Sequence, residues 1–294
     1  MWITLKLLCW CTRIFASFRG RWRLMNWLKR RLIAIPRSEL HCVATRFGFG
    51  IMVDPFEHVG MHIFVEGVYE PDCTRLFESL LRPGDCVLDV GANIGWFTLL
   101  ASVLVAEKGQ VHAFEPVPQI ADCLTENVAL NRRQNVTVHR TAALDRCGAT
   151  QFNMVCGKNM GLSSIRDLGR TGVRAIEVAT VTIDSLKETL PPVRLVKLDV
   201  EGAEHKALQG MKEVIDRDKP MILLELEDNF LQASGSSAAE VLRLLNHFGY
   251  KAFLLAGGGL RSIYADVPVE QSYVLAVHSR EEFATGVQTI HMVK

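Results

Sequence analysis

A chain of 294 residues, 49% hydrophobic and 22% charged, has the composition of a globular protein with room for one large α/β domain and an appendage. A net charge of +1 excludes a general nucleic-acid binder, which would carry a basic surplus. Its eight cysteines are scattered, with Cys9 and Cys11 the closest pair. That spacing excludes a paired-cysteine zinc site and a disulfide framework, and places the chain in a reducing, cytoplasmic setting.

The charge is unevenly spread. Residues 1–35 hold eight basic side chains and no acid, from Lys6 to Arg31, so the remainder is net negative. The segment mixes Trp, Leu and Phe with Arg. Lys6 and Arg13 interrupt its apolar run short of the ~20 residues a membrane span requires. No small-residue cleavage site follows it. Two readings stay open: a helix lying peripherally in a membrane surface, or a helical extension packed on protein. Residues 1–40 are accordingly set apart as a basic, aromatic-rich extension, and 41–294 as the catalytic domain.

From there the chain reads as alternating elements. "CVATRFGFGIMVD" (42–54) predicts a hairpin around Gly48-Phe49-Gly50. "HIFVEGVYEPD" predicts an extended stretch, and "CTRLFESLL" a helix closed by Arg82-Pro83-Gly84. "CVLDVGA" is a buried strand, and "GWFTLLASVLVAEK" an apolar helix ending at Gly109. "QVHAFEP" is a strand, "QIADCLTENVALN" a helix, and "VTVHRTAAL" a third strand. Strand and helix at this spacing define a parallel sheet with crossover helices. Residues 146–180 break the rhythm as a hairpin insertion. "VRLVKLDV" resumes it, followed by one helix, "AEHKALQGMKEVI", with Ala207, Leu208, Met211, Val214 and Ile215 on its apolar stripe. Strand "MILLELE", helix "SAAEVLRLLNHFG" and strands "KAFLLA" and "SYVLAVH" complete the chain. "GGG" at 257–259 lacks the Lys-Ser/Thr of a phosphate loop and reads as a turn.

Two stretches carry chemistry. In "VLDVGANIGWF" a buried strand ends at Asp89-Val90, and a turn with Gly91 and Gly95 leads directly into a helix, at the sheet end where open α/β proteins bind ligands. The next strand ends at Glu115, twenty residues beyond Gly95, where an acid accepts both hydroxyls of an adenosine ribose. The nicotinamide fingerprint needs a glycine where this chain has Asn93. Asp89, two residues before the first glycine, suits the cationic amino-acid end of a ligand such as a sulfonium cofactor. In "LVKLDVEGAEH", Lys197, Asp199 and Glu201 share a face of an extended strand. Asp199 stands at its carboxyl end. There it serves either as a proton acceptor for a hydroxyl nucleophile or as the partner of a structural ion pair with Lys197. Glu204 and His205 fall in the first turn of the following helix and read as capping groups. Glu201 fits capping or site duty. Asp199 and Glu201 offer two oxygens to a divalent ion, but spacing shows no further ligand, so no metal is assigned.

"YEPD", "PGDCVLDVGANIGWFTLL", "FEPVP", "TAALDRCG", "VTIDSL" and "VKLDVEGAEHKALQG", in that order over residues 66–250, together resemble the FkbM-type S-adenosylmethionine-dependent methyltransferases. The resemblance implies a Rossmann-like class I methyltransferase fold, mostly parallel, with helices on both faces and an antiparallel last strand. It implies S-adenosylmethionine as cofactor, with Asp89, Gly91, Asn93 and Gly95 around its methionine end. Glu115 would hold the ribose, and the backbone near Ala142 and Ala143 would lie by the adenine. The activity implied is O-methylation of a hydroxyl on a small-molecule or glycan acceptor: a sugar, glycolipid or secondary metabolite. Trp96 departs from the family pattern and puts the shape of the nearby pocket in question. Tyr69-Glu70 matches a further family element that covers the cofactor or lines the acceptor pocket, which Glu225 and Glu227 also border. A nucleotide-binding oxidoreductase and a non-catalytic, membrane-attached protein that keeps the fold are the competing readings.

Overall fold

In the computed structural model, residues 7–9, 11, 21–33, 39–155, 165, 173–256, 259–265 and 272–278 are described. Helix α1 (Arg21–Ile33) leads into a hairpin, β1 (His41–Ala44) and β2 (Gly50–Val53), then α2 (His58–Glu66) and α3 (Pro71–Leu80). The alternating body follows: β3 (Cys86–Val90), α4 (Trp96–Leu104), β4 (Gln110–Phe114), α5 (Pro118–Leu130) and β5 (Val136–His139). A small three-stranded sheet comes next, from β6 (Ala142–Ala143), β7 (Gly148–Val155) and β8 (Val173–Val181). The chain returns through β9 (Val193–Leu198), α6 (Glu204–Gln209), α7 (Lys212–Asp218), β10 (Met221–Leu226), α8 (Asp228–Ala233) and α9 (Ala238–His247). It closes with β11 (Tyr250–Ala256), β12 (Gly259–Ile263) and β13 (Ser272–His278).

The main sheet has the order β12-β11-β13-β10-β9-β3-β4-β5. Strands β10, β9, β3, β4 and β5 are parallel. The last strand, β13, inserts antiparallel between β10 and β11. β4 and β5 grow outward from one side of β3, and β9 and β10 from the other. The crevice between β3 and β9 is therefore the topological switch point, where open α/β sheets bind ligands beyond the carboxyl ends of their strands.

Both faces of the central strands are buried, which explains their continuous apolar runs. Val87, Leu195 and Leu223 point to one face, into a core built with Phe77, Phe97 and Leu100. Leu88, Val196 and Ile222 alternate to the other, against Met211, Val214 and Ile215, the stripe expected of the following helix. That helix is broken at Gly210-Met211 into α6 and α7, where its backbone is pressed against the Leu144 carbonyl.

Four further expectations are corrected. Residues 62–66, the first part of the stretch expected to be extended, instead belong to α2 (His58–Glu66), which buries Met61, Ile63, Phe64 and Val65 and ends at a left-handed Gly67. "VTVHRTAAL" is two strands in two sheets, because the chain leaves β4 after His139 and Ala142-Ala143 pairs with β8 instead. Helix α4 stops at Leu104 rather than running to Gly109. The extension is not set apart from the body: Met25, Leu28 and Leu32 of α1 are buried in the same core as Phe97 and Leu195. Lys29 of α1 also pairs with Glu66 of α2. Most of residues 1–20 and Gly257-Gly258 lie outside the described residues, so the membrane-surface reading of the extreme N-terminus and the expected turn at 257–259 do too. No helix among the described residues is long and apolar enough to cross a membrane.

The hairpin is tied down by side-chain amides. Asn127 accepts from the Met52 N–H at 2.7 Å and Asn131 from the Gly50 N–H at 2.9 Å, and both amides donate back to the same strand. These bonds satisfy the unpaired edge of β2 in place of a neighbouring strand. They also set the hairpin as one wall of the site.

Candidate active site

A cavity of about 1180 Å³ opens at the switch point. At one end the β3 turn forms its floor. Gly91 adopts φ 83, and a Cβ there would lie 1.8 Å from the Asp199 carbonyl. Only glycine lets the ends of β3 and β9 approach this closely. Asn93 takes the left-handed φ of 51, which asparagine tolerates, and its Oδ1 accepts from the Ile94 N–H at 2.7 Å. The nicotinamide fingerprint has a glycine at this point.

Glu115, at the end of β4, lines the cavity. Its Oε2 accepts from the Asn93 N–H at 3.1 Å and its Oε1 from the Val117 N–H at 2.9 Å. Desolvation raises its pKa to about 7, against the pull of those two amides. Beside it, Val117, Ile120, Ala142, Leu144 and Phe152 form one apolar wall. The site thus joins an anchored hydrogen-bond acceptor to an apolar wall, a combination that suits a ribose and its base.

Two residues expected around this ligand do not reach the cavity. Asp89 is fully buried beneath the turn; its Oδ2 accepts from Thr98 Oγ1 at 2.6 Å, and its Oδ1 has no hydrogen-bond partner among the described residues. Burial raises its pKa, with Lys197 and Thr98 opposing. Gly95 begins α4 at φ 96 and abuts the Leu124 side chain, so it serves helix packing. Trp96, whose effect on the pocket was in question, is buried away from the cavity and donates from Nε1 to Thr74 Oγ1 at 3.0 Å.

Beside the turn stands Asp199. Its N–H donates to the Val90 carbonyl at 3.0 Å, tying the residue after β9 to the last residue of β3. Lys197 Nζ donates to Asp199 Oδ2 at 2.9 Å and lies 4.8 Å from the centre of the Phe97 ring. Burial works against this ammonium, but the charges of Asp199, Asp89 and Glu70 outweigh it and raise its pKa. The ion pair is therefore present, and Asp199 still lines the cavity. One carboxylate thus both holds the ion pair and faces the cavity.

Neighbouring elements add groups that sequence patterning did not connect. Leu198 pairs with Leu224, so the residues that follow, Asp199 and Glu225, stand side by side. With Glu201, which has φ 53, they place three carboxylate oxygens within 4.8 Å of one another, a spacing that suits a divalent cation. The place of Glu225 beside Asp199 was legible only through strand pairing. Glu70, the N-cap of α3, accepts a hydrogen bond from the Tyr273 hydroxyl, and its Oε2 is buried without a partner among the described residues. Desolvation lifts its pKa to about 7 against Lys197, with Asp199 raising it further. His58 and His62 reach the rim from α2, rings 4.9 Å apart. A segment read as extended hid that face.

Glu204 is not an exposed cap. It is buried, and its Oε1 accepts from the Val200 N–H at 3.3 Å and the Gly202 N–H at 3.2 Å, fastening the loop after Asp199. Burial raises its pKa to about 7.

A mostly parallel sheet, a glycine turn at the switch point and an acid closing the next strand define a nucleoside-binding class I fold of the methyltransferase kind. The family model described as the methyltransferase FkbM domain matches residues 89–252, more than half of the chain, and the protein belongs to that family. The 31-O-demethyl-FK506 methyltransferase FkbM of Streptomyces tacrolimicus is 29% identical over 202 residues, covering 58% of this chain and 74% of that one. The hexuronic acid methyltransferase AglP of Haloferax volcanii is 28% identical over 196 residues, 66% of this chain and 76% of that one. The 2-O-methyltransferase NoeI of Sinorhizobium fredii is 27% identical over 205 residues, 63% and 83%. Among solved structures, the methyltransferase FkbM of Methylobacillus flagellatus is similar at 16% identity and a TM-score of 0.43, over 74% of this chain and 52% of that one. The protein is a methyltransferase.

Proposed function

We propose that this enzyme uses S-adenosylmethionine to methylate a hydroxyl oxygen of a sugar, glycolipid or secondary metabolite, with the catalytic machinery in residues 41–294. The observation that carries this reading is the sharing of one cavity by the Glu115 slot and the Asp199 carboxylate. The methyl donor supplies a methyl group on a cationic sulfonium. Glu115 accepts the ribose hydroxyls through lone pairs its two backbone amides leave unused, since each carboxylate oxygen has two. Gly91 and Asn93 shape the floor beside it, and Ala142 and Phe152 face the base. Asp89 acts from below the turn, through its bond to Thr98. Asp199 accepts the proton of the acceptor hydroxyl as its oxygen is alkylated, and its negative charge favours a cation bound beside it. Lys197 holds that carboxylate in place. The names of the relatives, with 31-O-demethyl-FK506, a hexuronic acid and a 2-O position, support an oxygen acceptor.

Calorimetry tests the cofactor assignment. S-adenosylhomocysteine binds and NAD does not. Glu115→Ala weakens binding by about 1.5–3 kcal/mol for each charge-assisted hydrogen bond lost. Unchanged affinity in that variant removes Glu115 from the ribose. A second reading concerns location. Trp22 and Trp27 are exposed on α1 beside Arg23, Arg30 and Arg31, and this face is proposed to contact anionic membranes peripherally. Full-length protein then co-sediments with anionic liposomes at low salt, and Trp22→Ala with Trp27→Ala abolishes it. Failure of the wild type to co-sediment removes the reading.

A further inference from the structure

We infer that His62, with His58 beside it on α2, donates the hydrogen bonds that hold the α-carboxylate at the methionine end of the cofactor. This rests on the reading of the cavity as an S-adenosylmethionine site. A carboxylate taken out of water needs donors and favours a nearby positive charge. The amides of the glycine turn, residues 91–95, already donate within the protein. The Gly91 and Ala92 N–H groups both go to the Phe114 carbonyl at 3.0 Å, and the Gly95 N–H goes to the Ala92 carbonyl at 3.0 Å. The Asn93 N–H is taken by Glu115, and the Ile94 N–H by the Asn93 side chain. Across the crevice the Asp199 N–H goes to Val90, and the Val200 and Gly202 N–H groups go to Glu204. Neutral side-chain donors such as Asn93 bring no charge. Among the described residues that line the cavity there is no Lys or Arg, and only His58 and His62 can become cationic.

The pair is arranged for this use. The spacing in "HVGMH" puts both rings on one face of α2, with centroids 4.9 Å apart. His62 Nδ1 lies 3.2 Å from Lys29 Nζ and 3.2 Å from Glu66 Oε1. An ammonium has no lone pair, so in the neutral ring Nδ1 accepts from Lys29 and the proton sits on Nε2. Glu66 favours the doubly protonated ring, and there too Nε2 carries a proton. Both hydrogen-bonding partners of the ring are on Nδ1, which leaves the Nε2 proton to a ligand in the cavity His62 lines. The His62 ring meets Tyr69 edge-on, centroids 6.3 Å apart. Burial raises the Tyr69 pKa, and the charges of Glu70 and Asp199 raise it further. His62 therefore neighbours the Asp199 part of the cavity, where the sulfonium is proposed to react. Burial, then the charges of His62 and Lys29, lower the His58 pKa. A carboxylate held by the two rings offsets that repulsion.

The experiment compares two ligands by calorimetry. S-adenosylhomocysteine has the amino-acid end, and methylthioadenosine keeps the adenosine and the thioether but lacks that end. Both are titrated into the full chain and into its His62→Leu and His58→Ala variants, the second of which alters an exposed side chain. His62→Leu should lower S-adenosylhomocysteine affinity by about tenfold to hundredfold, the range for one charge-assisted hydrogen bond. His58→Ala should lower it less, and methylthioadenosine affinity should stay within about twofold in both variants. If His62→Leu fails to fold, His58→Ala decides with the same two ligands. Unchanged S-adenosylhomocysteine affinity in the folded variants overturns the inference. So does an equal loss for both ligands, which would mean that α2 acts through the shape of the cavity. A wild type that binds methylthioadenosine as tightly as S-adenosylhomocysteine also overturns it and leaves the Glu115 slot standing. A wild type that binds neither removes the cofactor reading itself, and the inference with it.

Discussion

At the scale of single residues, the site turns on a charge that is both structural and chemical. Lys197 is only 3% exposed in its side chain and Asp199 17%, with their charged atoms at 2.9 Å. Removing one partner of such a pair leaves the other desolvated without compensation, and here Asp89 and Glu70 also lose the cation they sense. Lys197→Met should therefore destabilise the protein by about 3–5 kcal/mol in a urea titration. A loss under 1 kcal/mol would show that water already solvates the pair. The two-residue period of a strand made the Lys197–Asp199 relation legible in sequence, and it made the Asp199–Gly91 adjacency plausible. It did not reveal that Asp89 is sealed beneath its own turn. Whether a residue at a strand end meets the cavity depends on which helix side chain covers it. Thr98 does so here, at 2.6 Å, and nothing in the pattern "VLDVGANIG" announces it.

At the scale of elements, the loop after β9 is held by a buried carboxyl. Glu204→Ala leaves the Gly202 and Val200 amides without their acceptor and should cost about 1–3 kcal/mol. Glu204→Gln keeps an acceptor and should cost less. The pH dependence follows from the sign of the shift. Glu204 titrates near 7 in the folded protein against an ordinary 4.5, because burial penalises its charged form. Between these values the folded state binds more protons than the unfolded one. Stability contributed by this group is full below about 4.5 and is lost as pH rises through about 7. Glu115 and Glu70 shift the same way and steepen the loss. Chemical denaturation at a series of pH values should show this decline in the wild type, and a shallower one in Glu204→Gln. A flat profile in the wild type would mean these carboxyls are hydrated. Sequence placed Glu204 at a helix start as a capping group, and it does accept backbone amides there; its burial, set by tertiary packing, was not legible. Helix α2 escaped for a related reason. Ile63 and Val65 alternate with His62 and Glu66 as a strand would, and only the core formed with α1 settles the period in favour of a helix.

At the scale of the whole molecule, the order of strands and helices was readable because each buried strand is a short apolar run bounded by turns. The antiparallel direction of β13 followed from family resemblance, not from periodicity, and its place between β10 and β11 was not foreseen. The role of the N-terminal segment was left open by composition, since Trp, Leu and Arg serve a membrane-facing helix and a packed one alike. One face of α1 is packed: Leu28 and Leu32 are completely buried, while Trp22 and Trp27 stay exposed. Leu28→Ala should cost about 2–5 kcal/mol. Trp22→Ala, at 69% exposure, should shift stability by no more than about 0.5 kcal/mol. Equal effects in thermal melts would mean that α1 does not dock as described.

The central claim is that Asp199 assists removal of the proton from an acceptor hydroxyl during methyl transfer. Asp199→Asn keeps the shape of the side chain and removes its charge and basicity. Measured with labelled S-adenosylmethionine and any acceptor the wild type uses, kcat should fall by about 10²–10⁴-fold, while S-adenosylhomocysteine still binds by calorimetry. A folded Asp199→Asn variant that turns over at the wild-type rate would contradict the account and leave the carboxylate a purely structural partner of Lys197.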